Sequence, residues 1–224
     1  MHIILLRHVE SEKNIRKTFS SRSNQERLTT FGTEQSVHLA KCIAEYGTRN
    51  MLKIKHVYAA NSERARLTAS AIATQCASDI LCENSFLSVT TDESLKGKTE
   101  KEISAINPQF IEELNLYRCG LFNAYRYSTV ADVIKSGEYE KKVISTFNRL
   151  LDDNTETLKV FVMHHSSITA TLIYIARSMG IYPQDFYGMV EADLGKLYAF
   201  NFDTSSKEFK LIVANDLPDT LLKK

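Results

Sequence analysis

Cysteines are scarce in this sequence, and their spacing excludes two common ways of stabilising a fold. Four occur in 224 residues, at Cys42, Cys76, Cys82 and Cys119, and no two of them form a Cys-x-x-Cys pair. Such pairs are typical of zinc sites, whereas regularly spaced cysteines in a small secreted chain indicate a disulfide framework. We therefore expect reduced, mostly buried thiols and neither a structural zinc ion nor disulfide bonds.

Charge of one sign and long apolar runs are lacking as well. Lys and Arg number 28 against 27 for Asp and Glu, so a net charge of +1 gives no overall field that would attract nucleic acid or an anionic membrane. The apolar run at the amino terminus is too short for a secretory signal or a membrane span. We expect a cytoplasmic protein that binds neither nucleic acid nor membranes. The sequence gives no oligomeric state.

Metal-ligand clusters are the third absence. The six histidines and the four cysteines form no group with the spacing of a metal site. We therefore expect no metal ion and no other cofactor.

The pattern that is present alternates strands with helices. Residues 2–6, 54–60, 86–89 and 158–163 read as strands, and 196–202 with 209–213 as a terminal antiparallel hairpin. Helices are predicted over 33–46, after a cap at Asn61 or Ser62, over 138–151, and from Ile168 to Gly180. Gly47 should stop the first of these helices. With 43% hydrophobic residues the chain fits one domain, residues 1–224. This order predicts an α/β fold, a three-layer α/β/α sandwich with a mostly parallel central sheet.

Cationic side chains follow three of these apolar runs. Arg7 and His8 end the first run, Arg64 opens the helix after the second strand, and a His-His pair follows Met163. Ligands bind at the carboxyl ends of strands in open α/β sheets. Guanidinium groups offer paired donors that match phosphate oxygens, and a neutral imidazole can attack phosphorus. These residues therefore predict a site for a phosphate group.

The order of the motifs resembles that of the histidine phosphatase superfamily, the phosphoglycerate mutase-like family. Arg7-His8-Val9 corresponds to the family's Arg-His-Gly, and Asn14 to its Asn six residues after the nucleophile. Residues 28–35 match Leu-Thr-x-x-Gly-x-x-Gln, 64–69 match Arg-Ala-x-x-Thr-Ala, and 160–166 match the closing strand followed by His and Gly or Ser. The resemblance extends over nearly the whole chain and implies the phosphoglycerate mutase-like fold.

The resemblance also implies roles for individual residues. His8 would be the nucleophile that receives the phosphoryl group, with Arg7, Arg64 and His165 neutralising charge on the transferred oxygens. His165 is preferred because the family shows four apolar residues and one small residue before its histidine, so that His164 takes the small position and, by strand alternation, points to the opposite side. Asn14, Ser20 in the loop 20–27, and Ser166 are the expected substrate-binding residues.

Two positions depart from the family pattern. Val9 replaces Gly, so its backbone must avoid positive φ and the pocket should be slightly narrower. The general acid depends on the alignment of 91–99: anchoring on 97–99 makes Glu93 the acid, whereas anchoring on Leu95 places Gly97 there. Glu93, Asp92 and no residue at all are the open alternatives.

The predicted function follows from the same resemblance. It implies a metal-independent phosphomonoesterase that acts on a small phosphorylated substrate through a phosphohistidine, an enzyme of the histidine acid phosphatase type. The segment 97–140, with its scattered aromatic residues, is expected to be a helical insertion near the site. A phosphoglycerate mutase-type phosphotransferase and a catalytically weak phosphate-binding scaffold protein are the alternatives.

Overall fold

A computed structural model describes residues 1–18, 26–87, 97–112, 136–152, 157–181 and 194–212, without the side chains of 136–138. The strands are β1 His2–Arg7, β2 His56–Ala60, β3 Asp79–Glu83, β4 Leu158–Met163, β5 Leu197–Asp203 and β6 Glu208–Leu211. The helices are α1 Glu12–Arg16, α2 Thr30–Arg49, α3 Glu63–Cys76, α4 Glu100–Ile106, α5 Ser136–Leu151 and α6 His165–Ser178, with a short 3₁₀ turn at Asn84–Phe86.

The strands form one mixed sheet in the order β3-β2-β4-β1-β5-β6. β1 to β4 are parallel, and the hairpin β5–β6 extends the sheet antiparallel to β1. β4 lies between β1 and β2, which precede it in sequence, so the chain leaves and re-enters the centre of the sheet. The predicted α/β fold with a mostly parallel sheet is confirmed.

The helices cover the two faces of the sheet in pairs. α2 packs against α3, and α5 packs against α6. The crossovers β1 to β2 and β2 to β3 run one way along the sheet and β3 to β4 runs back, so right-handed connections place the two pairs on opposite faces. Among the described helices, none combines the length and apolar character needed to cross a membrane.

The core lies along β1 and β4. All six residues of β4 are buried, and the four apolar residues of β1 are fully buried as well. Strands covered on both faces read as continuous apolar runs, which explains why both were identifiable in the sequence. Phe161 of β4 stacks on Tyr58 of β2 and meets Phe147 of α5, which ties the sheet to that helix.

Two predicted elements are wrong. The third strand is Asp79–Glu83 rather than 86–89, because β3 is an edge strand in which none of the five residues is buried, whereas Phe86 is buried in the 3₁₀ turn. Gly47 does not end α2, which continues to Arg49; the left-handed residue after the helix is Met51, with φ 53°. The carbonyl of Gly47 instead accepts a hydrogen bond from the Leu52 amide at 2.8 Å.

Candidate active site

Three neighbouring strands end at the same edge of the sheet. Arg7 pairs with Met163 and Ala59 pairs with Val162, so β1, β4 and β2 finish almost level. The residues that follow these strands are therefore neighbours in space. His8, His164 and the start of α3 meet there.

His8 is held in one orientation by contacts to both ring nitrogens. Nδ1 lies 2.8 Å from the carbonyl oxygen of Val9, and Nε2 lies 3.1 Å from Nε of Arg64. A carbonyl only accepts and a guanidinium only donates, so Nδ1 carries the proton and Nε2 presents its lone pair. A backbone carbonyl therefore fixes one ring nitrogen of His8.

The surroundings of His8 keep its imidazole neutral. The side chain is buried, and that burial is the main reason that its pKa lies well below the usual value for histidine. The positive charges of Arg64 and Arg7 lower the pKa further, against a smaller raising effect of the hydrogen bond to Val9. Arg7 itself is the half-buried last residue of β1. At neutral pH Nε2 is therefore unprotonated, and it becomes a nucleophile once the hydrogen bond from Arg64 turns from Nε2 to a substrate oxygen.

Arg64 connects the parts of the site. It lies in the first turn of α3 with 4% of its surface exposed. Nε donates to His8, one terminal nitrogen lies 3.3 Å from Nδ1 of His164, and the other is 2.6 Å from a carboxylate oxygen of Glu26. Burial lowers the pKa of Arg64, and the Glu26 carboxylate raises it. The predicted proximity of Arg64 to His8 is thus a direct hydrogen bond.

The prediction that His164 points away from the site is wrong. Its ring meets the ring of His8 edge-on, with centroids 5.0 Å apart at 71°, and its Nε2 lies 3.0 Å from Oγ of Ser62. Strand alternation does not apply, because β4 ends at Met163 and His164 is the residue that caps α6. The sequence signal for a helix start at His164 is Ser167, three residues later, whose Oγ accepts a hydrogen bond from the His164 amide at 3.1 Å.

The contacts of His164 also define its proton. Nδ1 faces the donor Arg64 and must accept, so Nε2 carries the hydrogen and donates to Ser62. Burial, followed by the charge of Arg64, lowers the pKa of His164 well below its usual value. Ser62 is fully buried and enters the site through this bond, although the sequence suggested it only as a helix cap.

His165 and Ser166 occupy the first turn of α6. His165 is half-buried, and Oγ of Ser166 lies 3.1 Å from the hydroxyl of Tyr139, which donates to the Leu87 carbonyl at 2.8 Å. The catalytic role of His165 and the substrate-binding role of Ser166 stay predictions.

The segment after His8 is fixed by the start of α2. Thr29, which caps α2, donates its hydroxyl to the Glu10 carboxylate at 2.9 Å, and its amide donates to the Glu10 carbonyl at 3.3 Å. Gln35 accepts from the Glu10 amide at 3.1 Å. A Cβ on Gly32 would lie 1.9 Å from the Glu10 carbonyl oxygen. The Thr, Gly and Gln of the motif in 28–35 therefore serve to dock α2 two residues beyond His8.

Thr68 of the motif in 64–69 acts on the same segment. Its hydroxyl donates to the Arg64 carbonyl at 2.8 Å and accepts from the Val9 amide at 3.4 Å. Val9 is fully buried in the core and its φ is not positive, so the predicted ordinary backbone at this residue is confirmed. The valine side chain lies 3.8 Å from the position of a Cβ on Gly195, which itself has φ +74°.

Asn14 has a local structural role. Its side-chain oxygen accepts hydrogen bonds from the amide of Ser11 at 3.0 Å and from the hydroxyl of Ser11 at 2.6 Å, which closes the first turn of α1. Substrate binding by Asn14 stays a prediction. Ser20, Asp92 and Glu93 lie outside the described residues. Of the predicted helical insertion 97–140, the described parts are 97–112 and the beginning of α5.

Potential metal ligands do not gather in the described part of the chain. No group of three or more His, Cys, Asp or Glu side chains there could hold an ion. The chemistry that the described residues offer is that of a neutral imidazole beside a buried guanidinium.

Comparisons with solved structures match the fold over almost the whole chain. The α-ribazole phosphatase of Shigella flexneri has a TM-score of 0.71 at 16% identity, covering 100% of this chain and 99% of its own. A phosphoserine phosphatase from Entamoeba histolytica, solved with phosphoserine, gives 0.66 at 18% identity, with 98% and 97% covered. A mycobacterial glucosyl-3-phosphoglycerate phosphatase gives 0.68 at 13% identity, with 95% of each chain covered.

No curated protein matches the sequence directly. The model of the histidine phosphatase superfamily, branch 1, matches residues 3–215. This match includes β1 with His8, the start of α3 with Arg64 and the end of β4 with His164. The chain belongs to branch 1 of the histidine phosphatase superfamily.

Proposed function

We propose that the protein is a metal-independent phosphomonoesterase that forms a phosphohistidine on His8. The observation that carries the proposal is the tautomer of that buried imidazole. Nδ1–H is held by the Val9 carbonyl, and the unprotonated Nε2 lies beside Arg64. A fixed neutral imidazole next to a cation suits nucleophilic attack on an anionic phosphoryl group.

The reaction has two displacement steps. The Nε2 lone pair of His8 attacks phosphorus, the P–O bond to the leaving alcohol breaks, and a phosphohistidine forms. Water then attacks the same phosphorus, the P–N bond breaks, and inorganic phosphate leaves with His8 regenerated. An alkoxide leaving group needs a proton in the first step. Glu93 and Asp92 are the candidate donors of this proton. The third alternative is that no residue is dedicated to donating it.

The charge of the transferred group is balanced by the neighbours of His8. Arg7 and Arg64 supply fixed positive charge. We assign the second imidazole to His164 rather than His165, because His164 is in ring contact with His8. A phosphate dianion beside His164 favours the protonated ring, which can then donate a hydrogen bond to a phosphate oxygen.

The substrate is proposed to be a small phosphorylated compound in the cytoplasm. Structural relatives named as phosphatases of α-ribazole phosphate, phosphoserine and glucosyl-3-phosphoglycerate support this class. Metal independence is part of the proposal, and the chelator experiment below tests it.

Trapping the phosphoenzyme tests the proposal. A panel of phosphorylated metabolites is screened for release of inorganic phosphate. The enzyme is then mixed with a labelled substrate from that panel, and the reaction is quenched during turnover. Wild type should show an acid-labile label and His8→Ala none, while both unfold at similar urea concentrations. Label that persists on His8→Ala would contradict the nucleophile. Activity that a chelator abolishes and added magnesium or zinc restores would contradict metal independence.

A further inference from the structure

Among the described residues of the site, Glu26 is a carboxylate in contact with the buried guanidinium that joins the two histidines. Its oxygen lies 2.6 Å from a terminal nitrogen of Arg64, and the exposed fractions of the two side chains are 18% and 5%. The other nitrogens of the guanidinium face His8 and His164. The carboxylate therefore accepts from the terminal nitrogen of Arg64 that faces neither histidine.

The pair is a consequence of burial. A guanidinium that is almost completely removed from water needs an anionic partner, because an unpaired buried charge is strongly destabilising. A carboxylate oxygen of Glu26 accepts a hydrogen bond from Arg64, as an anionic oxygen of a phosphate group would. Glu26 thus takes the contact with Arg64 that a phosphate oxygen would make.

The two anions cannot share this place without repulsion. A phosphate group next to His8 would bring negative charge beside the Glu26 carboxylate, and like charges at short range disfavour each other strongly. Glu26 is the partner that can move, since it lies outside the helices and strands and is more exposed than Arg64. Arg64 is fixed in the first turn of α3 and bonded to His8.

We propose that Glu26 is an internal competitor for the phosphate group. It leaves Arg64 when a phosphate monoester binds and returns when inorganic phosphate departs. The carboxylate thus weakens binding of the substrate and of the product alike, and it limits inhibition by the product. This inference rests on the proposed function, since it assumes that the phosphate binds at Arg64.

The test measures binding of inorganic phosphate by titration calorimetry, together with KM and kcat for a phosphomonoester. Glu26→Gln removes the charge and keeps the size, and Glu26→Asp keeps the charge on a shorter side chain. Glu83→Gln is the matched control, because Glu83 makes a 2.7 Å ion pair with Arg149. Its side chain is 23% exposed, similar to the 18% of Glu26. Arg64→Met, alone and combined with Glu26→Gln, shows whether the effect acts through Arg64.

The expected result is an increase in affinity. Glu26→Gln should bind inorganic phosphate about tenfold more tightly than wild type, a change of about 1.4 kcal/mol. KM should fall in parallel, whereas Glu83→Gln should stay within about twofold of wild type. Glu26→Asp should lie between, and in the Arg64→Met background the effect of Glu26→Gln should disappear.

Three results would overturn the inference. Unchanged phosphate affinity in Glu26→Gln means that the two anions do not compete, and weaker affinity means that Glu26 orients Arg64 for the ligand. A large loss of kcat on an alkyl phosphate with unchanged phosphate affinity makes Glu26 the proton donor instead.

Failure of the proposed function looks different. Tighter phosphate binding in Glu26→Gln without hydrolysis or phosphoenzyme in any variant supports the competition and contradicts the phosphatase. Absence of phosphate binding in wild type, Glu26→Gln and the control contradicts both.

Discussion

His8 and His164 lie in ring contact and are equally buried, yet the chain holds them in different ways. Two contacts of His8 are to backbone, from Nδ1 to the Val9 carbonyl and from its amide to the Met163 carbonyl at 3.1 Å, and Arg64 donates to its Nε2. His164 is fixed by side chains, through Ser62 at one ring nitrogen and Arg64 at the other.

The supports of the two histidines differ in the same way. The segment after His8 is docked by Thr29, Gly32, Gln35 and Thr68, which are all members of family motifs. Ser62 and Ser167, which lie outside the motifs, contact His164 directly through their side chains. The first histidine is thus held largely by backbone and by the docked segment that follows it, and the second by direct side-chain contacts. Three experiments separate these arrangements.

The largest effect is expected for the choice between the two adjacent histidines. His164→Asn should lower kcat/KM by about 10² to 10³-fold, the usual cost of removing one group that stabilises charge in the transition state. His165→Asn is the matched control and should stay within about threefold of wild type. The measurement is steady-state kinetics on one phosphomonoester, with urea unfolding to confirm that both variants fold. A deficient His165→Asn beside an active His164→Asn would restore the assignment from strand register.

The docking of α2 beyond His8 can be broken at Gly32. Gly32→Ala places a Cβ 1.9 Å from the Glu10 carbonyl, so the start of α2 must shift. We expect a loss of about 3 kcal/mol in the free energy of unfolding, the upper part of the usual range for overpacking, together with a loss of activity. Urea unfolding and kcat/KM measure the two effects.

Gly47→Ala in the same helix is the control for this substitution. The nearest atom to its Cβ is 3.7 Å away, which is an ordinary contact. Alanine is favoured over glycine in a helix, so the free energy of unfolding of this variant should rise by about 0.5 to 1 kcal/mol. Equal stability of the two alanine variants would show that the contact at Glu10 does not constrain the segment after His8.

The smallest effect is expected from pH. Burial lowers the pKa of His8 and of His164 in the folded protein below the 6.5 of the unfolded chain. Below pH 6.5 the unfolded state therefore binds protons that the folded state does not, and stability falls as the pH falls. Each histidine contributes a slope of up to about 1.4 kcal/mol per pH unit in that window.

The comparison with a variant isolates the contribution of one ring. Urea unfolding of wild type and His164→Asn at pH 7.5 and 5.5 should show a loss of stability on acidification that is about 1 kcal/mol smaller in the variant. The same loss in both proteins would mean that His164 does not resist protonation in the fold.

Much of the architecture was predictable because buried parallel strands leave a continuous apolar signal. β4 is Leu158–Met163 as predicted, and β1 differs by one residue. Edge strands lack that signal, so β3 was misplaced onto Phe86, a core residue outside any strand. The continuation of α2 through Gly47 was missed because the residue is accommodated in the helix and the left-handed conformation falls on Met51.

The sequence alone determined the family, the central strands and the positions of His8 and Arg64, because each follows an apolar run or opens a helix at a strand end. Only the tertiary structure decided that His164 contacts His8, since a helix begins there and strand alternation ends. It also decided the partners of Arg64. Glu26 is distant in sequence from Arg64, and Ser62 is distant from His164. The fold brings each pair together because a buried guanidinium needs a carboxylate and a buried imidazole N–H needs an acceptor.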